Sequence, residues 1–198
     1  MSDKEFFEKM MHYIRSRYPT EVQASVLYLT WGIHGEKLKW QINAVHAPEI
    51  YETVDGKIGT LSAVTVAVED TVEYYLREVY KVGESRFDKE RQIMRDLLNK
   101  DNWPKYRSEF KVLIDRLERG EEVAKKITER TGIEVKHYVP EPPNDNALFC
   151  TEFDSTGMSG EQKMEEIRKH LDAIDAAYDE FQRYDKKRFG ETFEKKIN

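Results

Sequence analysis

Residues 20–45, TEVQASVLYLTWGIHGEKLKWQINAV, decide the fold class. Leu27, Leu29, Trp31 and Ile33 alternate as the residues of a half-buried strand do, and Leu38, Trp40 and Ile42 repeat the pattern. His34-Gly35-Glu36 lies between the two runs, with a glycine where a tight turn needs positive φ. Thr20 and Gln23 have instead the spacing of a capping box, which would make the segment a second helix followed by an extended piece. The hairpin and the helix weigh equally.

Outward from this segment the patterns are helical. Ser2 and Glu5 have capping-box spacing, Phe7, Met10, Met11, Ile14 and Tyr18 follow a helical period, and Pro19 closes a helix predicted over 3–18. Pro48 and Asp55-Gly56 mark an irregular connection. Val64, Val68, Val72, Tyr75 and Val79 then recur every three or four residues, in a helix ending near Gly83. Phe87, Ile93, Met94, Leu97 and Leu98 mark a further helical segment. Asn102-Trp103-Pro104 opens another helix, with Tyr106, Phe110, Leu113, Leu117, Ala124 and Ile127 as its stripe and Gly132 as its C-terminal cap. Pro140, Pro142, Pro143 and Asn144 to Asn146 predict a long loop over 138–158, within which Leu148 to Phe153 form a short extended piece. Ser159 and Gln162 cap a last helix carrying Ile167, Leu171, Ile174, Tyr178 and Phe181.

The expected class is therefore mainly α, an irregular helical bundle with a small β-hairpin in residues 25–45 as an option and α+β as the alternative class. The expected partition is a helical core over 1–137, a proline-rich loop over 138–158, and a C-terminal helical arm over 159–198 packed on the core.

Hydrophobic residues make up 39% of the 198 and charged residues 35%. That is more charge than the ~25% of an average domain, but with too many aromatics for a disordered chain. The net charge of -6 and the lack of a long basic run disfavour general nucleic-acid affinity. Cys150 is the only cysteine, which excludes an internal disulfide and fits a reducing compartment. No signal segment or long apolar run is present, so a cytoplasmic location with no membrane contact is expected.

Signatures of phosphate-binding loops, dinucleotide folds, nucleophile elbows and paired-histidine zinc helices are missing. Glu69, Asp70 and Glu73, with Asp115 and Glu118 on the next helix, are the carboxylates that could gather Mg²⁺ or another divalent metal. Glu8 with His12, and Glu166 with His170, each place a carboxylate and an imidazole on one side of a helix. Arg130 and His137 resemble the Arg-x(4–6)-His signature of HEPN ribonucleases, and that resemblance implies a pair acting on an RNA phosphate. Cys150 reads as a small buried hydrophobe rather than a nucleophile. Trp31 and Trp40, Tyr74, Tyr75 and Tyr80, and Tyr178, Phe181, Tyr184 and Phe189 form aromatic groups in excess of an obvious core, and Trp31, Tyr74, Tyr178 and Phe181 are the expected contact residues.

The resulting expectation is a non-catalytic, acidic protein-binding module without a cofactor, acting as an inhibitor or adaptor of another protein or as a homo-oligomer. The alternative is a metal-dependent hydrolase of nucleotides or RNA.

Overall fold

The computed structural model describes residues 1–18, 24–28, 31–32, 35–44, 46–64, 66, 68–140 and 147–197, with side chains described except over 24–28 and 187–197. The elements are α1 (Asp3–Arg17), β1 (Ala24–Tyr28), β2 (Leu38–Ala44), β3 (Glu49–Thr53), β4 (Lys57–Val64), α2 (Val68–Tyr74), α3 (Arg86–Leu97), α4 (Trp103–Tyr106), α5 (Lys111–Thr131), β5 (Lys136–Tyr138), β6 (Ala147–Asp154) and α6 (Gly160–Ile197). A π-helical turn, Tyr75–Val79, continues α2. The strands form a sheet in the order β1-β2-β3-β4-β6-β5, with β1 to β4 an antiparallel meander.

With 58% helix and 20% strand, the fold is α+β, which corrects the mainly α expectation. Three segments account for the difference, one of them β5 and β6, which lie in and beside the stretch expected as a long loop. The ambiguous one is a hairpin: β1 and β2 pair antiparallel from Ala24 opposite Ala44 to Tyr28 opposite Trp40, and a bridge between Trp31 and Lys37 continues the ladder. Gly35 takes φ +78° and donates to the Gly32 carbonyl, as the expected turn requires. Thr20, Gln23, Leu29, Ile33 and His34 lie outside the described residues.

The second segment, expected to be an irregular connection, is the hairpin of β3 and β4. Asp55-Gly56 is its turn, with Gly56 at φ +91° and its amide bonded to the Thr53 carbonyl. Both of its faces are buried, with Glu52, Thr60 and Gly59 among the buried positions beside Ile50 and Ile58, so no apolar alternation advertises it. The single helix expected from Asn102 to Gly132 is also two, α4 and α5, separated by Arg107 to Phe110.

The chain divides into two compact units: Met1–Ser62 with Ile127–Val135 and Cys150–Tyr178, and Ala63–Lys126 with Lys136–Phe149 and Asp179–Asn198. In the first, α1 starts at a complete Ser2–Glu5 capping box and buries Phe6, Met10 and Ile14 against Trp40, Ile42, Ile50 and Ile58 of the sheet and Met164, Ile167 and Leu171 of α6. The Ser159–Gln162 box opens α6 as its spacing predicts. Arg17, at the end of α1, donates to Asp172 (2.6 Å) and Asp175 (2.8 Å) on α6. Burial opposes its charge, but those carboxylates outweigh it and raise its pKa.

In the second unit, Phe110 is fully buried against Tyr75 (5.0 Å between centroids) and Tyr106 (6.0 Å). Trp103 donates its indole N–H to the Leu97 carbonyl at 2.9 Å, which anchors α4 to the end of α3. Arg116 and Asp185 pair at 2.7 Å, joining α5 to α6 within this unit.

Tyr51 and Gly59 face each other across β3 and β4, and a Cβ built on Gly59 would lie 2.2 Å from the tyrosine ring. The glycine is thus required by a close approach, not by its φ. Gly59→Ala is expected to cost about 2 kcal/mol in urea unfolding, as overpacked sites do, and the loss should shrink in a Tyr51→Ala background.

Candidate functional site

Two features of the first unit have the makings of a site, an open sheet edge and a cleft. The edge is β1. It ends the strand order, and among the described residues no strand pairs with its outer side. From Val22 to Gly35 the chain carries no Asp, Glu, Lys or Arg, although 35% of all residues are charged. Edge strands are ordinarily blunted by charge, proline or brevity, and β1 has neither charge nor proline. Just beyond it, Trp31 is 70% exposed. The residues opposite Ser25 and Leu27 on β2 are the polar Asn43 and Gln41, both half-buried.

The cleft, about 440 Å³, is lined by the N-terminal turns of α1 and α6 and by Phe7, Lys39, Trp40, Glu52, Met158 and Lys163. Its floor is a buried carboxylate. Glu52, 5% exposed, accepts from Trp40 Nε1 (2.5 Å), Ser155 Oγ (3.2 Å) and Lys163 Nζ (3.1 Å). Trp40 is held edge-on by Phe6 (5.7 Å) and Phe7 (5.3 Å). A carboxylate taken out of water is tolerated only when its lone pairs are occupied, and here the three donors come from β2, the turn after β6, and α6. A more open groove of about 420 Å³ on the same unit is lined by Glu8, His12, Tyr13, Met164 and Arg168 among others.

The other expected site residues are dispersed. His137, on β5, has a fully buried side chain whose Nδ1 lies 3.1 Å from Glu121 Oε1. Its Nε2 has no partner among the described residues and packs on Gly120, where a Cβ would come within 2.3 Å. Arg130 is exposed near the end of α5. Glu69, Asp70 and Glu73 lie on α2, with Glu73 3.6 Å from Arg77. Burial raises the pKa of Glu90 on α3, and the negative charges of Glu69 and Glu73 raise it further. Asp115 pairs with Lys111 (2.6 Å), and Glu118 with Arg107.

Among the described residues no group of three or more histidine, cysteine, aspartate or glutamate side chains is placed to hold a metal ion. Tyr74 and Tyr178 are exposed, 53% and 38%, whereas Phe181 is fully buried with its ring 6.1 Å from that of Phe149. Tyr75 packs on Phe110, and Tyr80 is exposed. Cys150 is buried on β6. The side chain of Phe189 lies outside those described. No helix among the described residues is long and apolar enough to cross a membrane.

Neither a protein-family model, nor a curated protein, nor a solved structure matches the chain. Trp31, one of the expected contact residues, is exposed, and Glu52 was not among the expected site residues. The available signal for Glu52 was Asp55-Gly56: read as a hairpin turn, it would have placed this glutamate in a strand of a buried sheet.

Glu52→Ala would strand the Trp40 N–H and the Lys163 ammonium, and is expected to cost about 2–4 kcal/mol in urea unfolding, with Glu52→Gln losing less. A stability change under 1 kcal/mol for Glu52→Ala would show that the carboxylate is not a structural centre.

His170 gives a pH test. Its ring packs 4.7 Å from Phe153, its Nδ1 has no partner among the described residues, and burial pushes its pKa below the ordinary 6.5, against an opposing contribution from Glu166. The unfolded chain takes up a proton near 6.5 while the folded chain resists it until the lowered pKa is reached. Stability should therefore fall as pH drops below about 6.5 and be unaffected by this group above it. The melting temperature of His170→Gln is expected to decline less over that window than that of the parent chain.

Proposed function

We propose that the chain is a non-catalytic binding protein that takes an extended polypeptide segment onto the open edge of its sheet, with β1 as the receiving strand. The observation that supports this reading is the uncharged edge: a strand of five residues with no strand on its outer side among the described residues, inside a run without Asp, Glu, Lys or Arg and followed by the exposed Trp31. Strand addition supplies affinity through main-chain hydrogen bonds, and an exposed tryptophan supplies contact area at low entropic cost. The matching partner is an extended segment with uncharged side chains, since a charge laid along β1 would meet no counter-charge there.

A defined probe tests this. An eight-residue peptide of alternating valine and threonine is expected to bind and to slow amide hydrogen exchange over 24–28, while its twin, N-methylated at alternate residues along one edge, is expected to do neither. Equal effects of the two peptides, or none, would remove the support for strand addition.

The competing reading, metal-dependent hydrolysis of nucleotides or RNA, makes a different prediction. Under it, Mg²⁺ or Mn²⁺ would raise the melting temperature by several degrees and Glu73→Ala would abolish the shift. Under strand addition the midpoint is expected to be the same with metal and with chelator.

A further inference from the structure

Resting on the strand-addition reading, we infer that the segment received by β1 is the β1 of a second copy, paired antiparallel about a two-fold axis so that the sheets of two chains become one. An isologous contact presents each surface patch to itself, so a charged residue at the axis would meet its own kind and like charges placed symmetrically about it would meet each other. Ala24 to Tyr28 contains none. With the axis at Val26, Ala24 of one copy stands opposite Tyr28 of the other and Ser25 opposite Leu27, and no register near this one brings like charges together.

The rest of the chain argues for the same site. Each copy carries a net charge of -6, so two copies repel over most of their surfaces and can approach closely only where charge is absent. Ala24 to Tyr28, within a sequence run free of Asp, Glu, Lys and Arg, is such a place, and its outer edge is open among the described residues. Antiparallel pairing of identical strands also needs nothing from a partner beyond what this chain already has. Its backbone donors and acceptors are complementary to themselves. The polar residues opposite Ser25 and Leu27, Asn43 and Gln41, mark positions where a lysine can be introduced with least harm to the fold.

The experiment is sedimentation equilibrium of the full chain from about 1 to 200 µM, read together with amide hydrogen exchange. The expected result is a monomer–dimer equilibrium in which protection over 24–28 rises with concentration. The double variant Ser25→Lys/Leu27→Lys should weaken the dimer at least tenfold while keeping the circular dichroism spectrum and low-concentration melting midpoint of the parent. If that variant does not fold, the concentration dependence of exchange over 24–28 in the unaltered chain decides alone. A chain that sediments as a single copy throughout overturns the inference, and so does a dimer whose 24–28 amides are no better protected than those of the monomer. A monomer that still binds the valine–threonine peptide shows that only the self-pairing has failed. A monomer indifferent to that peptide shows that strand addition has failed as well.

Discussion

The Glu52 carboxylate is the constraint to which the first unit is built. It stands opposite Trp40 on β2 and Ile58 on β4, and its oxygens accept from the indole, from Ser155 and from Lys163. A buried carboxylate missing one of these donors would carry an uncompensated desolvation cost, so the register of β2 on β3, the turn after β6 and the first turns of α6 are fixed together. Other contacts follow from that. Trp40, oriented through its N–H, offers its ring edges to Phe6 and Phe7 and so sets where α1 lies. The Ser155 amide donates to the Gly56 carbonyl (2.8 Å), and its single hydroxyl proton is shared between that carbonyl (2.6 Å) and Glu52 (3.2 Å), tying the β3–β4 turn to the same point.

Several polar groups along the strands are matched by partners far away in sequence. Thr60 and Thr151 share a hydrogen bond at 2.6 Å with both hydroxyls buried, and Tyr51 donates to Glu152 at 3.3 Å. Burial, with the negative charge of Glu152 adding to it, raises the Tyr51 pKa and keeps the phenol a donor. Such pairs specify the register of β4 on β6 more sharply than apolar contacts would, because a slip of one residue would leave both hydroxyls buried without partners.

This is also why one half of the fold was legible in the sequence and the other was not. The starts of α1 and α6 were readable because a capping box is a local device: Ser2 with Glu5, and Ser159 with Gln162, close their bonds within three residues. The β3–β4 hairpin was not, because its inward positions are satisfied by Ser155, Lys163 and Thr151, about a hundred residues downstream. Without those partners, Glu52, Thr60 and Gly59 look like loop residues, and Pro48 before them reinforces the error. The break between α4 and α5 was hidden in another way, since Phe110 keeps the apolar period across a place where the backbone does not remain helical. Among the contact residues, Phe181 shows the limit of composition as a guide: an aromatic at helical spacing serves a core and a surface equally well until its neighbours, here Phe149 and Tyr184, are known.

The two edges of the sheet differ in the features that decide whether an edge attracts a partner. β5 is three residues long, begins with an exposed lysine, and buries its one imidazole beside Glu121. Brevity and lysine are the devices that keep an edge from recruiting another strand. β1 has five residues, no charge and an exposed tryptophan just past its end. A chain with charge to spare could have placed a lysine there, and none stands between Val22 and Gly35. An unprotected edge on a folded protein is an aggregation hazard unless it is regularly covered. A second copy of the same strand is the cover that requires no other molecule, and a closed two-fold pairing uses up the β1 edge of both copies at once and leaves only the short, lysine-bearing β5 edges for a third chain to extend.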